Sequence, residues 1–80
     1  MEKRLGIIGI FIQDRDKSAP EVNKIIGENS DIVVGRIGIP FRERGVNVIG
    51  LIIEATTDEL GAMTGKLGML GGVRVKSLLT

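Results

Sequence analysis

The side chains best placed to do chemistry lie in one short stretch, Gly9 to Val22, written GIFIQDRDKSAPEV, where an apolar run gives way to Asp14, Arg15, Asp16 and Ser18. A guanidinium between two acids suits a ligand bearing both charges. Arg15 would face its carboxylate, Asp14 or Asp16 its amino group, and the free amides of a following helix would complete the anion site. The same acids with Glu21 offer oxygen ligands to a hard cation, but a few surface carboxylates are ordinarily solvated and no metal is assigned. As plain structure the stretch is a strand-to-helix turn. Its acids complement the helix N-terminus; Ser18 caps the first amides, and Glu21, three residues on, reaches back to the Ser18 amide. Asp14, Arg15, Asp16 and Ser18 are the candidate ligand-binding residues.

Other chemistry lacks its parts. The chain has no Cys, His, Tyr or Trp, so the usual proton-transfer groups and thiol nucleophiles are missing, and Ser18 is better used as a cap than as a nucleophile. No catalytic residue and no cofactor is assigned, and an enzyme is not expected. Without cysteine there are no disulfides, which agrees with a cytoplasmic setting. A net charge of +1 supplies no large field to draw in nucleic acid or an anionic membrane. The opening MEKRLGIIGIFIQD has the charged start of a signal peptide, but Gly6 and Gly9 break its apolar run and Asp14 and Asp16 follow. A span across a bilayer needs about 18 consecutive apolar residues, and none is present. Gly61 to Lys66 grazes a phosphate-loop pattern and fails it, with Leu67 where Ser or Thr should hold the metal.

The elements that must position these groups follow from periodicity. Leu5 to Ile12 reads as a strand apolar on both faces, with Leu5, Ile7 and Phe11 on one and Ile8, Ile10 and Ile12 on the other. A helix starting at Ser18 carries Pro20 in its first turn and the stripe Val22, Ile25 and Ile26, and ends near Gly27 and Asn29. Asp31 to Phe41 suits an edge strand, holding Gly35, Gly38 and Pro40. The turn Arg42 to Gly45 joins it in a hairpin to Val46 to Ala55. Thr56 and Glu59 repeat the capping spacing ahead of a helix with the stripe Leu60, Met63, Leu67 and Leu70, stopped by Gly71 and Gly72. Along this helix Gly61, Gly65 and Gly68 share a face. Each costs about 1 kcal/mol against alanine, which implies close approach to a neighbouring element or to another subunit. Val73 to Leu79 makes a last strand with one largely wet face.

One domain, residues 1–80, in the order βαββαβ is the α+β ferredoxin-like sandwich: a four-stranded antiparallel sheet with two helices on one face. An RNA-recognition module has the same order, but Val46, Val48 and Leu51 stand where its third-strand aromatics would stack bases, so direct nucleic-acid binding is not expected. Two helices cover one side only. Ile and Val on the other would form a patch that a soluble monomer avoids, so a homo-oligomer, dimer or tetramer, joined through the sheet is expected.

Three stretches together resemble a known family: Gly35-Arg36-Ile37-Gly38-Ile39-Pro40-Phe41, Met63-Thr64-Gly65-Lys66-Leu67-Gly68 and Gly72-Val73-Arg74-Val75-Lys76-Ser77. They are similar to the iron-only hydrogenase system regulators, small proteins of ACT-like fold related to the C-terminal domain of the nickel-responsive repressor. The resemblance covers essentially the whole chain. It implies a regulatory module that assembles through its sheet and takes a small effector, associated with iron-only hydrogenase; if it acts on transcription, it does so through a protein partner. The repressor's nickel ligands are His and Cys, which this chain lacks, so nickel sensing is not implied. Amino-acid-binding ACT domains hold their ligand between strand one and helix one, the place occupied here by Asp14, Arg15 and Asp16. The alternative is a docking or oligomerisation scaffold without a small-molecule ligand.

Overall fold

Isoleucine is costly in a helix and packs well on a pleated surface, and the isoleucine-rich runs of the chain form its central strands. The computed structural model describes residues 2–13 and 15–80, and of residues 15 and 16 the backbone alone. It runs β1 (Arg4–Ile12), α1 (Arg15–Glu28), a 3-10 turn (Ser30–Ile32), β2 (Val33–Phe41), a second 3-10 turn (Arg42–Arg44), β3 (Val46–Ala55), α2 (Thr57–Gly68) and β4 (Val73–Leu79). The sheet order is β2-β3-β1-β4, and every neighbouring pair is antiparallel. This is the predicted ferredoxin-like sandwich. Strands β1 and β3 are central and β2 and β4 are its edges.

One face of the sheet is filled and the other is not. Ile8, Ile10 and Ile12 of β1 and Ile49, Leu51 and Ile53 of β3 are buried in one cluster with Val22, Ile25 and Ile26 of α1 and Met63 and Leu67 of α2. Burying each such side chain contributes roughly 1.5 to 3 kcal/mol. The alternate residues of the same strands face the other way, where no helix lies. Close packing also explains Gly6: a Cβ there would overlap the Leu78 carbonyl oxygen and stand 2.6 Å from Leu79 Cδ2. The glycines that turn the chain are Gly45 (φ 65°), which closes the β2–β3 hairpin, and Gly72 (φ 72°), which leads into β4.

Several boundaries differ from the sequence expectation. Helix α1 begins at Arg15, so Ser18 lies inside it and Pro20 falls in its second turn. Residues 31 and 32 belong to a 3-10 turn, and α2 ends at Gly68, before Gly71. The glycine face of α2 also needs correction within the protomer. A Cβ at Gly61, Gly65 or Gly68 would meet nothing within 4 Å. Their missing side chains bring no neighbouring element closer; they open a groove of about 630 Å³ between α2 and the outer edge of β4.

Candidate functional site

The junction between β1 and α1 is tied to the turn that follows α2. At its start the Gln13 amide donates to the Gly72 carbonyl at 2.8 Å, and at its far end the Ser18 hydroxyl donates to the Gly71 carbonyl at 2.6 Å. Ser18 is buried because it shares the inward stripe of α1 with Val22, Ile25 and Ile26, one turn ahead of them. The expected capping role of Ser18 is therefore corrected: the helix has already begun, and the hydroxyl proton is committed to another part of the chain. The Glu21 side chain makes no hydrogen bond among the described residues. Of the other candidate residues, Asp14 lies outside the described residues, as do the side chains of Arg15 and Asp16. Among the described residues no three histidines, cysteines or carboxylates gather as metal ligands.

The second junction, from β3 to α2, has the expected cap. Thr56 Oγ1 accepts from the Glu59 amide at 3.1 Å, and the Thr56 amide donates to Glu59 Oε1 at 2.9 Å. That backbone hydrogen bond holds the Glu59 carboxyl below its ordinary value; burial opposes the shift, and Lys3 and the Thr56 hydroxyl assist it.

The uncovered sheet face has two unlike ends, divided by Gly9 and Gly50, which stand opposite each other in the middle of β1 and β3. On one side of this pair Ile7 sits between Ile52 and Leu78, with exposures of 47%, 46% and 55%. This end is apolar up to its border, where Leu5 pairs with Glu54. On the other side Phe11 sits between Val48 and Arg74, and Ile39 and Phe41 flank them on β2. The Phe11 ring leans back over Gly9, within 3.4 Å of where a Cβ would stand. At this end a depression of about 450 Å³ opens, with Phe11, Phe41 and Val48 in its wall and Arg44, Arg74 and Lys76 around it.

Family comparison fits this architecture. A family model for TM1266-like proteins, described as "Iron-only hydrogenase system regulator, putative", matches residues 4–77. The chain belongs to this family. Among solved structures it is similar to the uncharacterized protein TM1266 from Thermotoga maritima, with 38% identity, a TM-score of 0.93 and 98% of each chain covered. The ACT domain of GTP pyrophosphokinase from Chlorobium tepidum shares the fold at 22% identity and a TM-score of 0.79, over 95% of this chain and 99% of that one. So does the C-terminal domain of the MgtC protein from Mycobacterium tuberculosis, at 13% identity and a TM-score of 0.76, over 99% and 89%. No curated protein gives a significant match. The chain thus combines the ACT-like fold with membership of a hydrogenase-system regulator family.

Sequence reasoning missed the cluster of Phe11, Phe41, Arg44, Arg74 and Lys76. A partial signal was present: Arg74 and Lys76 alternate on one face of β4, and Phe11 lies on the outward face of β1. Their meeting depends on β4 lying beside β1 in the register that pairs Phe11 with Arg74. No spacing within one segment carries that.

Proposed function

We propose that this chain is a non-enzymatic, cytoplasmic regulatory module of the iron-only hydrogenase system, working as a homo-oligomer joined through the open face of its sheet. One observation carries the assembly. Ile7, Ile37, Ile52 and Leu78, with Leu5 beside them, form an apolar surface across all four strands that no described element covers, and water is a poor neighbour for it. A second copy laid against this surface would bury it. The reading includes a small effector held between β1 and α1 by Asp14, Arg15 and Asp16, with Ser18 tying the junction to Gly71 behind them, and a protein partner that receives the signal. No described helix is long and apolar enough to cross a membrane.

Sedimentation equilibrium tests the assembly. The protein is expected to sediment as a dimer or tetramer at micromolar concentration, and Ile7→Asp, which places a charge in the middle of the apolar end, is expected to give monomer. A monomeric mass for the unmodified protein throughout the micromolar range overturns the oligomer. For the effector, thermal melting is followed against amino acids, organic acids and nucleotides. A ligand confined to the folded state raises stability by about 2.7 kcal/mol at 100 times its dissociation constant. Loss of that shift in Asp14→Ala or Arg15→Ala assigns it to the junction. A flat panel leaves a docking scaffold as the function.

A further inference from the structure

We infer that the basic end of the open sheet face is a binding site for a small aromatic anion carrying two or more negative charges, the chemistry of an aryl phosphate or a nucleotide. The chain has two Phe and no Tyr or Trp, and both Phe11 and Phe41 line the same depression although 30 positions separate them. Their rings are partly exposed, at 37% and 45%, so apolar surface is held open to solvent where a flat ring can stack on it. Arg44, Arg74 and Lys76 come from the β2–β3 turn and from β4, are exposed, and their side chains make no hydrogen bond or ion pair among the described residues. None of the described residues lining the depression is acidic.

Three cations without counter-ions among the described residues, set around an apolar floor, repel one another, and an anion relieves that repulsion while its ring covers the floor. Guanidinium groups suit phosphate or carboxylate oxygens in paired hydrogen bonds. A volume of about 450 Å³ lies in the range of small-molecule sites, roughly 300 to 1,000 Å³, and such sites join apolar walls with a few convergent polar groups. The site is built by one protomer and does not depend on the proposed assembly. Ser18, the one candidate effector residue whose side chain is described, is not in its lining. Closing two copies on their apolar ends would leave the basic ends apart, whereas stacking basic end on basic end would oppose six cations.

The test is an NMR titration of the unmodified protein with 1-naphthyl phosphate and with ATP, and with inorganic phosphate and 1-naphthol as probes of charge alone and ring alone. The site predicts saturable shifts at Phe11, Val46 and Val48 for the first two at submillimolar to millimolar concentration, and weaker binding of the last two. Arg74→Gln with Lys76→Gln is expected to weaken binding about tenfold or more, since a hydrogen bond to a charged group is worth about 1.5 to 3 kcal/mol. Phe11→Leu keeps apolar bulk and is expected to cost about fivefold through lost stacking. Sedimentation of the same samples keeps the two readings apart. Ile7→Asp should change the mass and spare binding, and the Arg74/Lys76 variant the reverse. The inference is overturned if neither ring-bearing anion binds at millimolar concentration, if binding is unchanged in the Arg74/Lys76 variant, or if the shifts centre on α1. It is also overturned if a single-stranded hexanucleotide binds far more tightly than ATP, which would make the face a nucleic-acid surface.

Discussion

The junction from β3 into α2 secures itself, whereas the junction from β1 into α1 is secured by a turn more than 50 residues away. At the first, Thr56 and Glu59 exchange two hydrogen bonds across three positions, a closed local unit that can form as soon as the helix does. At the second, Gln13 and Ser18 reach the carbonyls of Gly72 and Gly71. The difference separates local stability from tertiary stability. It also makes the β1–α1 segment, where the effector site is proposed, sensitive to how α2 hands over to β4.

Ser18→Ala should have the largest effect, because it removes a part-buried donor and strands the Gly71 carbonyl. A loss of about 2 kcal/mol is expected, read from denaturant midpoints, with hydrogen exchange quickening in both the first turns of α1 and the Gly71–Val73 segment. Exchange confined to α1 would mean the two segments are not coupled. Thr56→Ala should cost about 1 kcal/mol, the usual value of a lost N-cap, and should loosen the start of α2 while sparing α1. Glu59→Gln should act least at neutral pH and show itself through acid. The Glu59 carboxyl is more acidic folded than unfolded, so its contribution is complete above the unfolded value and fades as pH falls through the folded one. The variant should therefore flatten the rise of stability with pH in the acid limb. Glu21→Gln, with no such side-chain bond to lose among the described residues, should leave the denaturant midpoint unchanged; a loss equal to that of Thr56→Ala would restore a cap at Ser18.

Both junctions present a hydroxyl residue three positions ahead of a glutamate, and both continue into an apolar stripe, 18-22-25 in one and 56-60-63 in the other. Local pattern alone cannot tell them apart. The distance from the preceding strand separates them. Ala55 ends β3 directly before Thr56, so α2 has nowhere earlier to begin, while residues 13–17 lie between β1 and Ser18 and leave room for an additional turn. That turn moves Ser18 inward, and its partner is set by tertiary packing. The strands were readable because their demands are local. Ile8, Ile10 and Ile12 opposite Leu5, Ile7 and Phe11 require a central strand apolar on both faces, and the element order then allows few arrangements. The basic depression was not readable, because it joins four segments through registers that only the folded sheet defines.

The position of β1 in the sheet has a consequence for the order of folding. It is the first strand of this sheet to be made and one of its two central strands, yet one of its two ladders is completed only by β4. The Thr80 hydroxyl donates to the Leu5 carbonyl across 75 residues of sequence. Until then an isoleucine-rich strand has one edge unpaired, and long-range pairing of this kind is slow and exposed to aggregation. A growing chain would need a chaperone or a rapidly formed β1–β3 pair to shelter it. Moving β4 ahead of β1 by circular permutation should therefore speed folding and raise soluble yield while keeping the strand order of the finished sheet.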